Sequence, residues 1–338
     1  MSSRGIYLLA NDPYTEWIVA LLESVRSWNP DVAIYLIPFD DRFSAVASLS
    51  DRYQLTIYDD PTLEWLDEVG RRLAPARGGD GLPPGVYRKL AAFWGPLDEF
   101  LFVDADVVVT CEVSVLLEAL ARSPAEVLYM HDAPPDAVYA RGSRLWERSS
   151  RAVLFNTGVW AATRGLLGTE TVAAVTDELE PYKDEILHSD QTVICHLLDR
   201  TGIGAAPFAS VEISTDGFKQ GYLWAGSVFD HVLELVPGRG GPLLRSTPAH
   251  MDAGITHWAG CALAPTMPYR ALWRHYRWPG RGPTRRMRRT ADVARGYGHR
   301  CVRKLSSLSN KPSPDELTRS GGQPPRLDWV LGCRRMGA

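Results

Sequence analysis

The chain opens with a short unbroken apolar run, Ile6-Tyr7-Leu8-Leu9-Ala10, the pattern of a strand buried on both faces. Asn11-Asp12-Pro13 then supplies a turn and a helix start. Trp17, Leu21, Ser24, Val25 and Trp28 recur at helical spacing up to the stop at Asn29-Pro30. Val32 to Phe39 predicts a second strand and Tyr53 to Tyr58 a weaker third. Thr62 to Leu73 and Val86 to Trp94 predict helices, joined by a Gly- and Pro-rich loop from Pro75 to Pro84. Phe100 to Val103 is the clearest buried strand. This strand–helix alternation predicts an α/β fold: a mostly parallel central sheet with helices on both faces.

Beyond Asp106 the pattern loosens. Val113 to Ala121, Leu166 to Leu179 and Asp190 to Leu198 carry helical spacing. Val127 to Met130 and Ile255 to Trp258 predict strands, and Val153 to Ala162 two short strands around a bend. Ala133 to Ser150 is expected to be a long polar loop. No internal repeat is present.

With 338 residues, 45% hydrophobic and 23% charged, the chain has the balance of a globular protein. It lacks an apolar run of the ~20 residues a membrane span needs, and its N-terminal apolar stretch is too short for a signal peptide. Cys111, Cys195, Cys261, Cys301 and Cys333 are odd in number and include no CxxC pair. Free thiols and a cytoplasmic location are therefore expected.

The net charge of -3 hides a split. Residues 266–338 carry 17 basic and 4 acidic side chains, whereas residues 1–265 carry 20 basic and 36 acidic ones. Three regions are expected: a catalytic body over 1–265, a basic and aromatic segment over 266–304, and a disordered tail over 305–338. The acidic body argues against a nucleic-acid partner. In the basic segment Trp273, Tyr276 and Trp278 alternate with arginines, which suits the headgroup layer of an anionic membrane and a peripheral attachment. A solvated helix with a loose tail fits the same pattern.

Four clusters carry candidate chemistry. In FLFVDADVVVT, Asp104 and Asp106 stand two apart at the end of an apolar strand, where extended geometry turns both carboxylates to one side. Ligands of open α/β sheets bind at such strand ends, and two converging carboxylates call for a hard cation, Mg²⁺ or Mn²⁺. The bland alternative is a pair of solvated turn aspartates. In ITHWAG, His257 follows an apolar strand and is a ligand Mn²⁺ accepts; alone, it reads as a hydrogen-bonded core histidine. In SDQTVICHLL, Asp190 and Gln191 open a helix, either to face a polar substrate or only to meet the helix dipole. In VYRKLAAFW, Arg88 and Lys89 precede the paired aspartates and suit a diphosphate, or else water. Five lysines against 32 arginines make a retained lysine informative. The signatures GK[ST], GxGxxG, HExxH and GxSxG are all missing, which removes the usual support for P-loop, Rossmann, zincin and serine-hydrolase chemistry.

Taken in order, these residues resemble glycosyltransferase family 8, the group of glycogenin and the lipooligosaccharide galactosyltransferases. The likeness spans roughly residues 5–265. ANDPYTEW resembles the family's nucleotide site, with Asn11, Asp12 and Tyr14 on the uracil and the Tyr14 ring stacked on it. RKLAAFWGPLDEFLFVDADVVV resembles the stretch leading into its metal-binding DxD, FNTGVW its sugar-contacting segment at Asn156 and Gly158, SDQTVICHLL its DQ helix at Asp190 and Gln191, and THWAG its metal and diphosphate loop at His257 and Gly260. The resemblance implies a GT-A fold. It also implies transfer of a hexose from a UDP-sugar, with retention, to a saccharide, a lipid-linked saccharide or a small molecule. Mn²⁺ or Mg²⁺ would be held by Asp104, Asp106 and His257, with Arg88 or Lys89 assisting. Two departures stand out. Cys261 to Pro265 offers no lysine for the diphosphate, and Cys195 stands where the family often has Asn.

Two other readings compete. The string hhhDxDxV also resembles the nucleophile motif of haloacid-dehalogenase-like phosphatases, although that motif opens its fold and about a hundred residues precede it here. The missing lysine supports a nucleotide-sugar-binding protein without turnover. Product release with and without acceptor separates the three.

Overall fold

In the computed structural model, which describes residues 3–74, 83–148, 153–187, 189–211, 214–215, 218–224, 233–246 and 251–279, two sheets organise the chain. The first is built from β1 (Arg4–Ala10), β2 (Ala33–Pro38), β3 (Leu55–Ile57), β4 (Glu99–Asp104), β6 (Val127–Tyr129), β7 (Val159–Thr163) and β8 (Ala205–Pro207), with β5 (Val107–Val109) standing apart. Its order is β3-β2-β1-β4-β7-β6-β8. Strands β3, β2, β1 and β4 run parallel, β7 runs against both β4 and β6, and β8 is parallel to β6. From Gly5 to Ala10, β1 is buried on both faces, which is why its sequence is continuously apolar.

The second sheet joins β9 (Ser214–Thr215), β10 (Phe218–Trp224), β11 (Leu233–Gly238), β12 (Gly241–Ser246) and β13 (Met251–His257) in the order β11-β12-β13-β10-β9. Strand β5 pairs antiparallel with β13, setting Val107 opposite His257. The short turn Ala105-Asp106 between β4 and β5 is thus where the chain leaves one sheet for the other.

Helix Thr15–Trp28 buries Trp17, Ile18, Leu21, Leu22 and Val25 and ends at Asn29, ahead of Pro30. The Asn29 side chain then serves helix Val113–Arg122, accepting from the Val113 N–H at 2.7 Å and donating to the Cys111 carbonyl at 2.9 Å. Lys89 lies on a ten-residue 3₁₀ run, Pro84–Phe93, whose residues from Gly85 onward are buried. Such runs are uncommon beyond a few residues and mark locally constrained backbone.

The stretch from Ala133, expected as a polar loop, holds a 3₁₀ turn (Pro135–Ala137) and a short helix (Arg144–Arg148), and buries Val138, Tyr139 and Leu145. Of the two strands expected between Val153 and Ala162, one is β7 and the other is a single bridge at Phe155.

The chain forms two compact units: Met1–Gly260 with Ala271–Arg277, and Cys261–Arg270 with the residues after Arg277. Within the second, the Met267 N–H bonds the Ala264 carbonyl at 3.0 Å. Helix Arg270–Arg277 buries Leu272, Trp273 and Tyr276. In the first unit the Tyr276 hydroxyl accepts from the Trp28 indole and donates to the Pro242 carbonyl, both at 2.9 Å. Trp273 meets Trp17 edge-on at 5.9 Å, and Arg277 grips Glu16 with two bonds of 2.7 and 2.8 Å. Trp273 and Tyr276 are therefore packed side chains, not the headgroup-facing aromatics expected from sequence. The rest of the basic segment, from residue 280, and residues 305–338 lie outside the described residues, as do residues 75–82 of the expected loop.

Candidate active site

Asp104, Asp106 and His257 converge at the carboxyl end of β4. One ligand atom from each lies within 4.8 Å of the others. Register creates the cluster. The pairing of Val107 with His257 brings the imidazole to Asp106, whose Oδ1 is 3.2 Å from Nε2. The Trp258 N–H fixes the bend by bonding the Asp106 carbonyl at 3.0 Å. The carboxylates converge through the Ala105-Asp106 turn rather than along one extended strand as the sequence pattern suggested.

Gly158 closes the other side. Its carbonyl accepts from the Asp104 N–H at 2.7 Å, and the Asn156 Oδ1 accepts from its own N–H at 3.0 Å. Gly260 adopts a φ of 69°, in the left-handed region that glycine enters without strain.

Lys89 is buried and bridges two carboxylates. Its Nζ lies 2.6 Å from Asp190 Oδ2 and 3.3 Å from Asp104 Oδ1, and 3.4 Å from the Thr157 carbonyl. The ammonium also sits 5.1 Å from the centre of the Phe102 ring. Burial opposes its charge, yet Asp104 and Asp190 outweigh burial and raise its pKa above the ordinary lysine value. Asp104 is pushed up to about 6, first by enclosure in protein and further by Asp106, with Lys89 pulling the other way. Burial likewise works against the His257 imidazolium, but Asp106 and Asp104 overcome it and raise the pKa.

Helix Ser189–Thr201 delivers Asp190 and Gln191 in its first turn, so Asp190 also meets the positive end of the helix. The Thr157 hydroxyl donates to Asp190 Oδ2 at 2.7 Å. Gln191 accepts from Asn156 Nδ2 at 3.3 Å and donates to the Ala137 carbonyl at 2.8 Å. Thr157 was missed as a site residue; the signal was its place between Asn156 and Gly158. His131 was missed too. It is largely buried, and its pKa falls to about 4, mainly from burial and then from nearby His257. A lone His in the string MHDA gives no hint of that neighbour.

Two expected residues, Arg88 and Asp12, are held by other partners. Arg88 is not at the cluster. It is paired with Asp67 through Nε at 2.8 Å and a second nitrogen at 2.5 Å, and donates to the Pro38 carbonyl at 3.0 Å. Adjacent positions on the 3₁₀ run point apart, so one of two neighbouring cations enters the site and the other braces the fold. Asp12 is also committed: its Oδ1 accepts from the Ala45 and Val46 N–H groups at 2.9 and 3.1 Å, at the start of helix Ser44–Ala47. Asn11 is buried and donates to Asp40 at 2.8 Å, while its Oδ1 has no partner among the described residues. Tyr14, by contrast, is exposed.

No protein-family profile matches the sequence, and no curated protein sequence does. Among solved structures, the galactosyltransferase LgtC in complex with donor and acceptor sugar analogues superposes with a TM-score of 0.52 at 15% identity, covering 83% of this chain and 99% of that one. The chain has the GT-A fold. The glycosyltransferase GlyE of Streptococcus pneumoniae TIGR4 superposes with a TM-score of 0.46 at 16% identity over 83% of this chain and 61% of its own. At these identities the likeness speaks for the fold alone. In this fold Asp104 ends the fourth strand, whereas a dehalogenase-type nucleophile stands on the first. The phosphatase alternative therefore loses its basis.

Proposed function

We propose that this protein is a glycosyltransferase that moves a hexose from a UDP-sugar to a saccharide, a lipid-linked saccharide or a small molecule, with retention and with a divalent cation. The observation that carries the reading is the meeting of Asp104, Asp106 and His257 with Lys89 and Asp190, at one strand end of a fold shared with a galactosyltransferase.

The donor set fits a cation. Two hard carboxylates and an imidazole lie close enough to share one ion, and positive charge there offsets both the burial and the neighbouring Asp106 that raise the Asp104 pKa. Mn²⁺ suits the nitrogen ligand best, with Mg²⁺ second. A bound ion would offset the negative charge that develops on the departing diphosphate.

The remaining roles fall to the chain itself. Lys89 is tied to two carboxylates, so it positions Asp104 and Asp190 and lowers the electrostatic cost of gathering them. Asp190 is held through Oδ2 by both Lys89 and Thr157, which leaves Oδ1 for a sugar hydroxyl beside the reacting carbon. Gln191 is oriented by Asn156 and Ala137 and presents its amide to the same sugar. Gly158 leaves room for the His257 ring beside the sugar, and Gly260 admits the diphosphate at close backbone approach. Tyr14 offers an exposed ring for base stacking, and the unpartnered Asn11 Oδ1 suits the imide N–H of uracil. Asp12 acts one step back, by holding helix Ser44–Ala47.

The test is UDP release over a panel of UDP-hexoses, with and without Mn²⁺ and with candidate acceptors. Turnover that vanishes in chelator and returns with Mn²⁺ is expected. Full activity in excess chelator, or no turnover of any UDP-hexose, would overturn the proposal.

A further inference from the structure

A second cleft lies away from the carboxylate cluster. Its volume is about 360 Å³, at the lower end of the ~300–1,000 Å³ typical of ligand pockets. Tyr35, Tyr58 and Trp94 supply aromatic surface, and Asp59, Asp60 and Arg164 supply charge. Trp94 leads into β4 and Arg164 leaves β7, whose Thr163 pairs with Glu99 at the start of β4. These two residues therefore mark the end of β4 remote from Asp104. The strand separates the ends by roughly 17 Å at ~3.3 Å per residue.

The walls are preorganised. Tyr35 packs on Tyr7 with ring centres 5.7 Å apart, and Tyr58 meets Tyr7 edge-on at 6.2 Å. The Trp94 indole donates to the Thr62 hydroxyl at 2.9 Å, which donates in turn to Asp60 Oδ1 at 2.6 Å. The Thr62 N–H holds the same oxygen at 2.8 Å. Asp59 is exposed at the rim, and Arg164 is anchored there by Asp98. The Tyr58 hydroxyl is buried beside Asp60, and burial first, then Asp60, raises its pKa.

Rings beside carboxylates and a guanidinium match one chemistry closely. A pyranose has an apolar C–H face that packs on an aromatic ring and a belt of hydroxyls that donate to carboxylates and accept from a guanidinium. We propose that this cleft is a second saccharide site, taking one pyranose unit well away from the carboxylate cluster. It goes beyond sugar transfer and does not depend on it, because a sugar bound here touches none of Asp104, Asp106 and His257.

The test is saturation-transfer NMR on the full chain with methyl glucosides, methyl galactosides and methyl N-acetylglucosaminides, with tetramethylammonium as the cationic control. Binding is expected in the parent and unchanged in Asp104→Asn. Losing the indole in Trp94→Leu should weaken it about tenfold, the order of one aromatic contact. Asp59→Asn, a rim change that spares the fold, should weaken it measurably and keeps the test valid if the Trp94 variant unfolds. The proposal is overturned if no pyranoside binds, if tetramethylammonium binds in their place, if neither cleft variant weakens binding, or if Asp104→Asn abolishes it. Failure of UDP-hexose turnover alone leaves this result standing, so the two readings fail separately.

Discussion

Gly158 stands so close to His257 that a side chain there would collide with the imidazole. A Cβ would lie 2.2 Å from His257 Cε1 and 2.8 Å from Nε2. The glycine is needed for its missing carbon, and Gly158→Ala must push the ring off its line to Asp106. Supporting residues of metal ligands typically change affinity ~10–100-fold. Isothermal titration of Mn²⁺ into folded Gly158→Ala should show a loss in that range, beside an overpacking cost of ~1–3 kcal/mol in stability. Parental affinity would remove His257 from the ligand set.

Lys89 is the charge that allows Asp104 and Asp190 to be gathered together. Lys89→Met leaves two carboxylates facing each other, and breaking a buried pair in this way costs ~3–5 kcal/mol. Denaturant unfolding should show that loss. Lys89→Met with Asp190→Asn should recover part of it, because one of the stranded charges is gone. Independent effects of the two substitutions would show that the bridge is not energetically coupled.

Arg88 separates bracing from chemistry. Arg88→Lys forfeits the two-bond grip on Asp67 and should lower stability by roughly 1–3 kcal/mol. At a temperature where the variant is folded, its Mn²⁺-dependent UDP affinity should equal the parent's. A selective loss of UDP binding would return Arg88 to the site.

His131 sets part of the acid limit of the fold. Its folded pKa is about 4 against an ordinary 6.5, so the unfolded chain takes up the proton first as pH falls. The contribution is fully present above pH 6.5 and is lost as pH drops toward 4. It amounts to at most ~3–4 kcal/mol, since each tenfold difference in proton affinity between the folded and unfolded chain is worth about 1.4 kcal/mol. Unfolding free energies of the parent should fall across that window, and His131→Gln should flatten the decline.

The first half of the fold was legible because its strands are buried on both faces. Ile6 to Ala10 and Phe100 to Val103 carry unbroken apolar runs because both faces of the sheet are covered there. The second sheet was not legible beyond β13. Strand β11 runs Leu233–Gly238 with an exposed Leu235 and an internal Pro237, so neither alternation nor burial marks it. The candidate site was readable where motifs are contiguous, at Asp104–Asp106 and Asp190–Gln191. It was ambiguous wherever orientation decides. Arg88 and Lys89 are neighbours with opposite destinations, and Asp12 resembles a base contact until helix Ser44–Ala47 claims its oxygens.

The turn at Ala105-Asp106 has a mechanical consequence. Asp104 closes a strand of the first sheet, and His257 closes β13 of the second. An ion shared by both would staple two separately hydrogen-bonded layers, and neither layer could open without releasing it. At a hundredfold excess over its dissociation constant such an ion adds about 2.7 kcal/mol to the opening cost. Amide hydrogens of β5 and β13 should therefore exchange with solvent about a hundredfold more slowly in Mn²⁺, while those of β3, at the far edge of the first sheet, keep their pace.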